Sequence, residues 1–187
     1  MAKEAWAFIV NPTAGRGRAG WLAQQLAGKL EDSVPTVSVS VTTSRGDAER
    51  LAREAAEAGA TRVIACGGDG TIHEVVNGLM SVPGDVENIA LGIMSSGRCN
   101  DLAYALDIPT DPSGLAETLL GGIPRPIDLG RIGDRYFTTI VTLGFDSEVS
   151  QYVAEGHAPS FLRGAAAYVY AALVKLVRYR SPWVHLK

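Results

Sequence analysis

Cysteine is nearly missing. Cys66 and Cys99 are the only two in 187 residues, too few for a disulfide framework, and each reads as a core residue kept reduced. Histidine is also sparse. His73, His157 and His185 are scattered and do not join the cysteines at metal-ligand spacing. A net charge of −3 with both signs interspersed excludes the basic surface that nucleic acid requires. The longest apolar stretch, residues 165–173, falls well short of the ~20 residues that span a bilayer. Met1-Ala2-Lys3-Glu4 opens straight into a strand pattern, without the features of a secretory signal. These absences read as a cytoplasmic protein, with peripheral contact at a membrane left open. What is abundant is hydrophobic residues, at 47%, which suits a packed globular core.

The first 125 residues alternate strand and helix patterns. Residues 5–10 form a continuous apolar run, residues 37–42 alternate strictly, and residues 62–66 and 89–93 are again apolar; these predict four strands. Between them, residues 21–30 carry Leu22, Leu26 and Leu30 at helical spacing. Residues 47–58 are rich in Ala, Glu and Arg and end at Gly59, and residues 71–80 predict a third helix. Strands separated by helix-sized segments predict an α/β domain with a parallel sheet, spanning residues 1–126. From residue 127 the pattern changes. Residues 127–132 and 136–143 predict a hairpin turning at Gly133-Asp134, and residues 164–179 a largely apolar helix. Residues 127–187 thus read as the start of a β-rich second domain. Residues 183–187 read as a strand cut off in mid-course, which predicts a longer protein.

Three polar or glycine-rich loops follow the first, third and fourth predicted strands. The most informative is Gly67-Gly68-Asp69-Gly70-Thr71. Glycine lets a backbone approach a phosphate closely, and a helix starting there aims its free amides and positive dipole at the anion. Thr71 and Glu74 have capping-box spacing. Asp69 would repel phosphate unless it held Mg²⁺ or accepted a proton from an attacking hydroxyl; the structural alternative is a tight turn that Asp69 merely caps. Residues 11–18 supply a second turn, with Arg16 and Arg18 either solvated or able to reach phosphate oxygens. Ser95-Ser96-Gly97-Arg98-Cys99-Asn100-Asp101 supplies the third. In a parallel sheet all three share the carboxyl edge, where ligands bind. The ordinary P-loop and dinucleotide fingerprints are absent.

Asn11-Pro12-Thr13-Ala14-Gly15, Gly67-Gly68-Asp69-Gly70-Thr71-Ile72-His73-Glu74-Val75-Val76-Asn77-Gly78, Gly97 with Asn100-Asp101, Ile127-Asp128-Leu129-Gly130 and Leu143-Gly144-Phe145-Asp146 occur in an order and spacing that resembles the diacylglycerol kinase catalytic-domain family. That family includes bacterial diacylglycerol kinase-like lipid kinases, sphingosine kinases and ceramide kinases. The resemblance implies an N-terminal domain similar to NAD kinases and 6-phosphofructokinases, with ATP bound between it and a β-sandwich. It implies that Gly67, Gly68, Asp69, Gly70, Thr71 and Glu74 wrap the nucleotide phosphates. Asn11, Thr42, Gly97, Arg98 and Asn100 would complete the nucleotide site. Asp69 would be catalytic, serving Mg²⁺ or the substrate hydroxyl, and Glu148 would lie where sphingosine kinases hold a head group. No direct metal ligand is assigned within the chain.

Two departures stand out. The family's third loop reads Pro-x-Gly-Thr-x-Asn-Asp; here Ser95, Arg98 and Cys99 replace the proline, the threonine and a small residue. The family's later acidic segment, which supplies a catalytic acid and Mg²⁺ contacts, is not in these residues, so the chain alone is expected to be inactive. The leading expectation is an ATP- and Mg²⁺-dependent lipid kinase acting on diacylglycerol or a sphingoid base at a membrane surface. The alternatives are a nucleotide- or lipid-binding protein without kinase activity and a soluble NAD-kinase-like metabolite kinase. The 164–179 helix, with Lys175, Arg178 and Arg180 near its end, reads as a core helix or a membrane-docking one. Apolar area that the rest of the second domain would cover is expected to favour homodimerisation or aggregation.

Overall fold

A computed structural model describes residues 4–30, 33–84, 88–97, 99–162, 164–177, 179–181 and 183. Four parallel strands form its sheet: β1 (Ala5–Val10), β2 (Thr36–Val41), β3 (Arg62–Gly67) and β4 (Ala90–Ser95). Their order is β2-β1-β3-β4. β1 and β3 are central and buried on both faces, which is why they read as unbroken apolar runs. β2 is an edge strand, and its alternation of valine with Ser or Thr matches its half-exposed surface.

Successive side chains of β1 serve two cores. Trp6, Phe8 and Val10 pack on α1 (Arg18–Leu30) and α5 (Pro112–Gly121). Ala7 and Ile9 pack on the side of α2 (Asp47–Glu57), α3 (Asp69–Met80) and α4 (Asp101–Ala105). The α/β architecture expected from the strand and helix pattern is therefore present. α4 and α5 are additions. α5 carries a plain start signal, Asp111 accepting hydrogen bonds from the Ser113 and Gly114 amides with Pro112 at its first position.

The connection from β1 leads outward to β2, and the one from β2 returns across β1 to β3. The chain thus reverses direction between β1 and β3. That reversal opens a crevice at the carboxyl ends of these two neighbouring strands.

The hairpin is shorter than its sequence suggests. β5 (Gly130–Ile132) and β6 (Arg135–Phe137) pair over three residues each, rather than over 127–132 and 136–143. The Phe137 ring lies where a Gly130 side chain would be, and the ladder ends with that pair. Asn77 holds the hairpin to α3. Its amide nitrogen donates to the Tyr136 and His73 carbonyls at 2.9 and 2.8 Å, and its Oδ1 accepts from the Tyr136 amide at 2.9 Å. Asn77 is 4% exposed, so water cannot replace these bonds. Asn77→Ala should cost about 2–3 kcal/mol, because two main-chain groups of Tyr136 lose their partner. A urea midpoint equal to that of the parent chain would rule out the clamp.

By its contacts the chain divides into residues 1–139 and 140–187. The hairpin, placed by sequence at the head of a second domain, packs with the first of these units. The second unit contains α6 (Phe145–Ala154), which the sequence patterns did not reveal, and α7 (Ala165–Leu176). An ion pair of Lys175 with Glu148 at 3.3 Å and an edge-on contact of the Phe145 and Tyr179 rings join its parts. α7 is shorter than the expected 164–179 span. Val169, Leu173, Leu176 and Val177 are exposed. No described helix is long and apolar enough to cross a membrane. The strand expected over 183–187 falls on residues that, apart from Trp183, lie outside the described ones.

Candidate functional site

Main-chain hydrogen bonds carry the parallel ladder one step past the strand ends and tie the loops into one edge. The Asn11 amide donates to the Cys66 carbonyl at 2.9 Å, the Ser96 amide to the Gly67 carbonyl at 2.7 Å and the Thr42 amide to the Val10 carbonyl at 2.8 Å. The three loops then touch through their backbones. A side chain on Gly97 would come within 2.6 Å of Gly68 Cα, and one on Gly15 within 3.2 Å of the Ser96 carbonyl oxygen. Any side chain on Gly67 would fall on the Thr71 hydroxyl. These glycines are therefore fixed by space as well as by any ligand.

α3 begins at Asp69, directly after the glycine pair. The Thr71 and Ile72 amides donate to the Gly68 carbonyl at 2.9 and 3.1 Å, which leaves the Asp69 and Gly70 amides without a partner inside the helix. Asp69 does two things there. Its Oδ2 accepts a hydrogen bond from the Asn100 amide at 2.9 Å, which joins the second loop to the third. Its Oδ1 is buried and has no partner among the described residues. The Ser95 and Ser96 hydroxyls are in the same condition. A buried polar atom without a partner is costly, and these three lie on the two loops that meet at Gly67, Gly68 and Gly97. Asn100 sits in the left-handed region at φ 56, and its Oδ1 accepts from the Gly97 amide at 2.7 Å. No cluster of three or more His, Cys, Asp or Glu that could hold a metal ion occurs among the described residues.

Asn11 and Thr42 lie on the same carboxyl edge of the sheet. Asn11 donates to the Thr71 hydroxyl at 3.3 Å, while its Oδ1 holds the Thr13 amide and hydroxyl at 3.0 and 2.8 Å. Thr42 closes the neighbouring strand and is buried. Gly70 is exposed on the first turn of α3, Arg16 is exposed in the turn after β1, and Arg18 is exposed as the first residue of α1. Arg98 lies outside the described residues. Glu148 belongs to the second unit, where it pairs with Lys175.

Two readings need correction. The capping box is not formed: Gly68 is the N-cap of α3, Thr71 is buried one turn inside, and Glu74 accepts instead from the Ala48 amide of α2 at 3.2 Å. Cys99 is not a core residue but exposed, because it lies in the polar loop between Gly97 and Asn100. Cys66 is buried, and burial raises its thiol pKa strongly, which leaves it inert. Beside Thr42, the Thr43 hydroxyl, together with the Thr43 and Ser44 amides, donates to Asp47 and holds its carboxyl well below the usual carboxylate range. Ser95 and Ser96 were legible only as part of the third polar loop; the burial of their hydroxyls comes from the meeting of loops far apart in the chain.

A glycine cradle at the reversal point of a parallel sheet, next to a helix N-terminus and to buried oxygens without a partner among the described residues, marks an α/β domain of the kind that suits phosphate ligands. The model of the diacylglycerol kinase catalytic domain matches residues 5–132, and the chain belongs to that family. It is 37% identical to a Chromohalobacter salexigens protein named "Probable lipid kinase YegS-like" over 158 residues, 84% of this chain and 50% of that one. It is also 37% identical to the diacylglycerol kinase of Bacillus subtilis over 184 residues, 96% of this chain and 58% of that one. Among solved structures, a diacylglycerol kinase from Bacillus anthracis superposes with a TM-score of 0.64 at 28% identity, over 73% of this chain and 46% of that one. The chain spans about half the length of the curated relatives it matches.

Proposed function

We propose that this chain forms the nucleotide-holding part of an ATP-dependent lipid kinase, which transfers the γ-phosphate to a lipid hydroxyl of the diacylglycerol or sphingoid-base class at a membrane surface. The observation that carries the reading is the open Oδ1 of Asp69, buried at the mouth of α3 beside Gly67 and Gly68. Family membership and the relatives' names, lipid kinase and diacylglycerol kinase, support the reaction type and the acceptor.

The residues fit ATP and Mg²⁺ on chemical grounds. The glycine backbones and the Asp69 and Gly70 amides at the start of α3 suit phosphate oxygens. The open carboxylate oxygen of Asp69 suits a hard cation, held directly or through water, or the proton of the attacking hydroxyl. Mg²⁺, when bound, supplies neutralisation of the charge on the phosphates. The chain's own work is positioning. Asn100 fixes the Asp69 carboxylate and Gly97, while Asn11 fixes Thr71. Such positioning accounts for much of the catalysis in phosphoryl transfer.

Calorimetric titration of Mg·ATP into this chain should show saturable one-site binding that Mg·NAD does not reproduce. The whole protein should then move phosphate from ATP to diacylglycerol or a sphingoid base. A flat titration would remove the nucleotide from the proposal. Binding without transfer to any lipid hydroxyl would leave a nucleotide-binding protein.

A further inference from the structure

Thr42 follows β2 at the carboxyl edge of the sheet and is held from both sides. Its amide donates to the Val10 carbonyl of β1 at 2.8 Å. On its other side, Asp47 Oδ2 accepts from the Thr43 amide at 2.8 Å. A peptide unit is planar, so this bond fixes the plane that follows Thr42. Together the two bonds set the backbone that carries the Thr42 side chain. The same carboxylate oxygen accepts from the Thr43 hydroxyl at 2.6 Å and from the Ser44 amide at 3.1 Å. Three donors on one oxygen close the turn between β2 and α2. Asp47 is the first residue of α2, and its neighbour Ala48 is 1% exposed, so the carboxylate rides on a helix packed into the core. Its Oδ1 meets the Arg50 guanidinium at 3.4 Å. The Thr43 hydroxyl foremost, with the two amides, keeps the group ionised at neutral pH.

We infer that Asp47 is a positioning residue for the nucleotide site, closing the turn that sets Thr42 and acting on the ligand through that residue. The inference rests on the nucleotide reading of the site. Asparagine at this position keeps an acceptor oxygen for the Thr43 and Ser44 amides, whereas alanine keeps none. Amide hydrogen exchange at Thr43 and Ser44, followed by NMR without nucleotide, should quicken about tenfold in Asp47→Ala, as expected for a lost hydrogen bond, and stay close to the parent rate in Asp47→Asn. Mg·ATP affinity, measured by calorimetry, should fall about tenfold in Asp47→Ala and be largely recovered in Asp47→Asn. Thr42→Val, which keeps the shape of threonine without its hydroxyl, should also weaken binding about tenfold. Adding Asp47→Ala to Thr42→Val should then cost less than about threefold more, because the residue it acts through is already lost. Parent affinity in an Asp47→Ala chain whose Thr43 and Ser44 amides exchange faster would leave Asp47 only starting a helix, and the inference would be overturned. Losses that multiply in full in the double variant would overturn it too. So would an Asp47→Asn chain that loses as much affinity as Asp47→Ala while both amides stay protected, since the carboxylate would then act on the ligand itself. Absence of Mg·ATP binding by the parent chain is a separate failure: it removes the nucleotide reading, and the role of Asp47 falls with it.

Discussion

Asp69→Asn should lower lipid phosphorylation by the whole protein by a factor on the order of 10²–10⁴, the usual range for a residue that moves a proton in the transition state, and leave the chain folded. Asparagine has nearly the same shape. One of its terminal atoms remains an acceptor for the Asn100 amide, which Asp69 Oδ2 holds at 2.9 Å. What disappears is the charge and the basicity of the open oxygen. Asp69→Ala is the less informative variant, since it also releases Asn100 and with it the bond to the Gly97 amide. Phosphate transfer from ATP to diacylglycerol, measured beside thermal unfolding of the same preparation, separates the two effects. Near-normal transfer by a folded Asp69→Asn protein would show that Asp69 only ties the two loops together.

Gly78→Ala should unfold the chain more readily although alanine is the better helix former. Alanine gains about 1 kcal/mol in a helix over glycine. Here, however, its methyl would collide with the Glu49 carbonyl oxygen and come within 2.9 Å of the Ala52 methyl. The obstacle is the backbone of α2, which cannot rotate away as a flexible side chain could. Overpacking of this kind costs about 1–3 kcal/mol and occasionally more. Two rigid helices in contact put this site at or above the upper end. The net loss should be about 2 kcal/mol, or a fall in melting temperature of roughly 4–8 °C for a protein of this size. Circular dichroism melts check it directly. A melting temperature equal to or above that of the parent chain would mean that α2 and α3 can part without cost.

These two residues also mark how far the sequence can be read. The strand at Ala5–Val10 was legible to the residue, because a central parallel strand buried on both faces leaves no polar position. The Gly67–Thr71 segment was legible as a strand-to-helix junction, because a glycine pair there separates an apolar run from a helical pattern. The helix Phe145–Ala154 was missed, its pattern being weak over ten residues. The helix at Pro112–Gly121 was missed despite its Asp-Pro start, since the glycine and proline residues flanking it read as loop. Other features have no local signature at all. Glu74 is spaced to cap its own helix, yet it caps one whose first turn lies 26 residues earlier. Asn77 finds Tyr136 59 residues later. Gly78 was visible only as part of a family motif, and its reason is a neighbouring carbonyl. Spacing rules describe a helix in isolation; these residues are set by what a second element brings to it.

The bonds that close the crevice join residues remote along the chain: Asn11 to Cys66, Gly67 to Ser96 and Asp69 to Asn100. A growing polypeptide emerges N-terminus first, so the glycine loop exists as sequence well before it exists as a site. Until Asn100 has left the ribosome, neither the Asp69 carboxylate nor the Gly97 amide has its partner. Loop closure of this length delays assembly. Any small molecule that fits the finished crevice will therefore favour only chains that have completed the β2-β1-β3-β4 sheet, and nascent or partly melted ones will gain nothing from its presence.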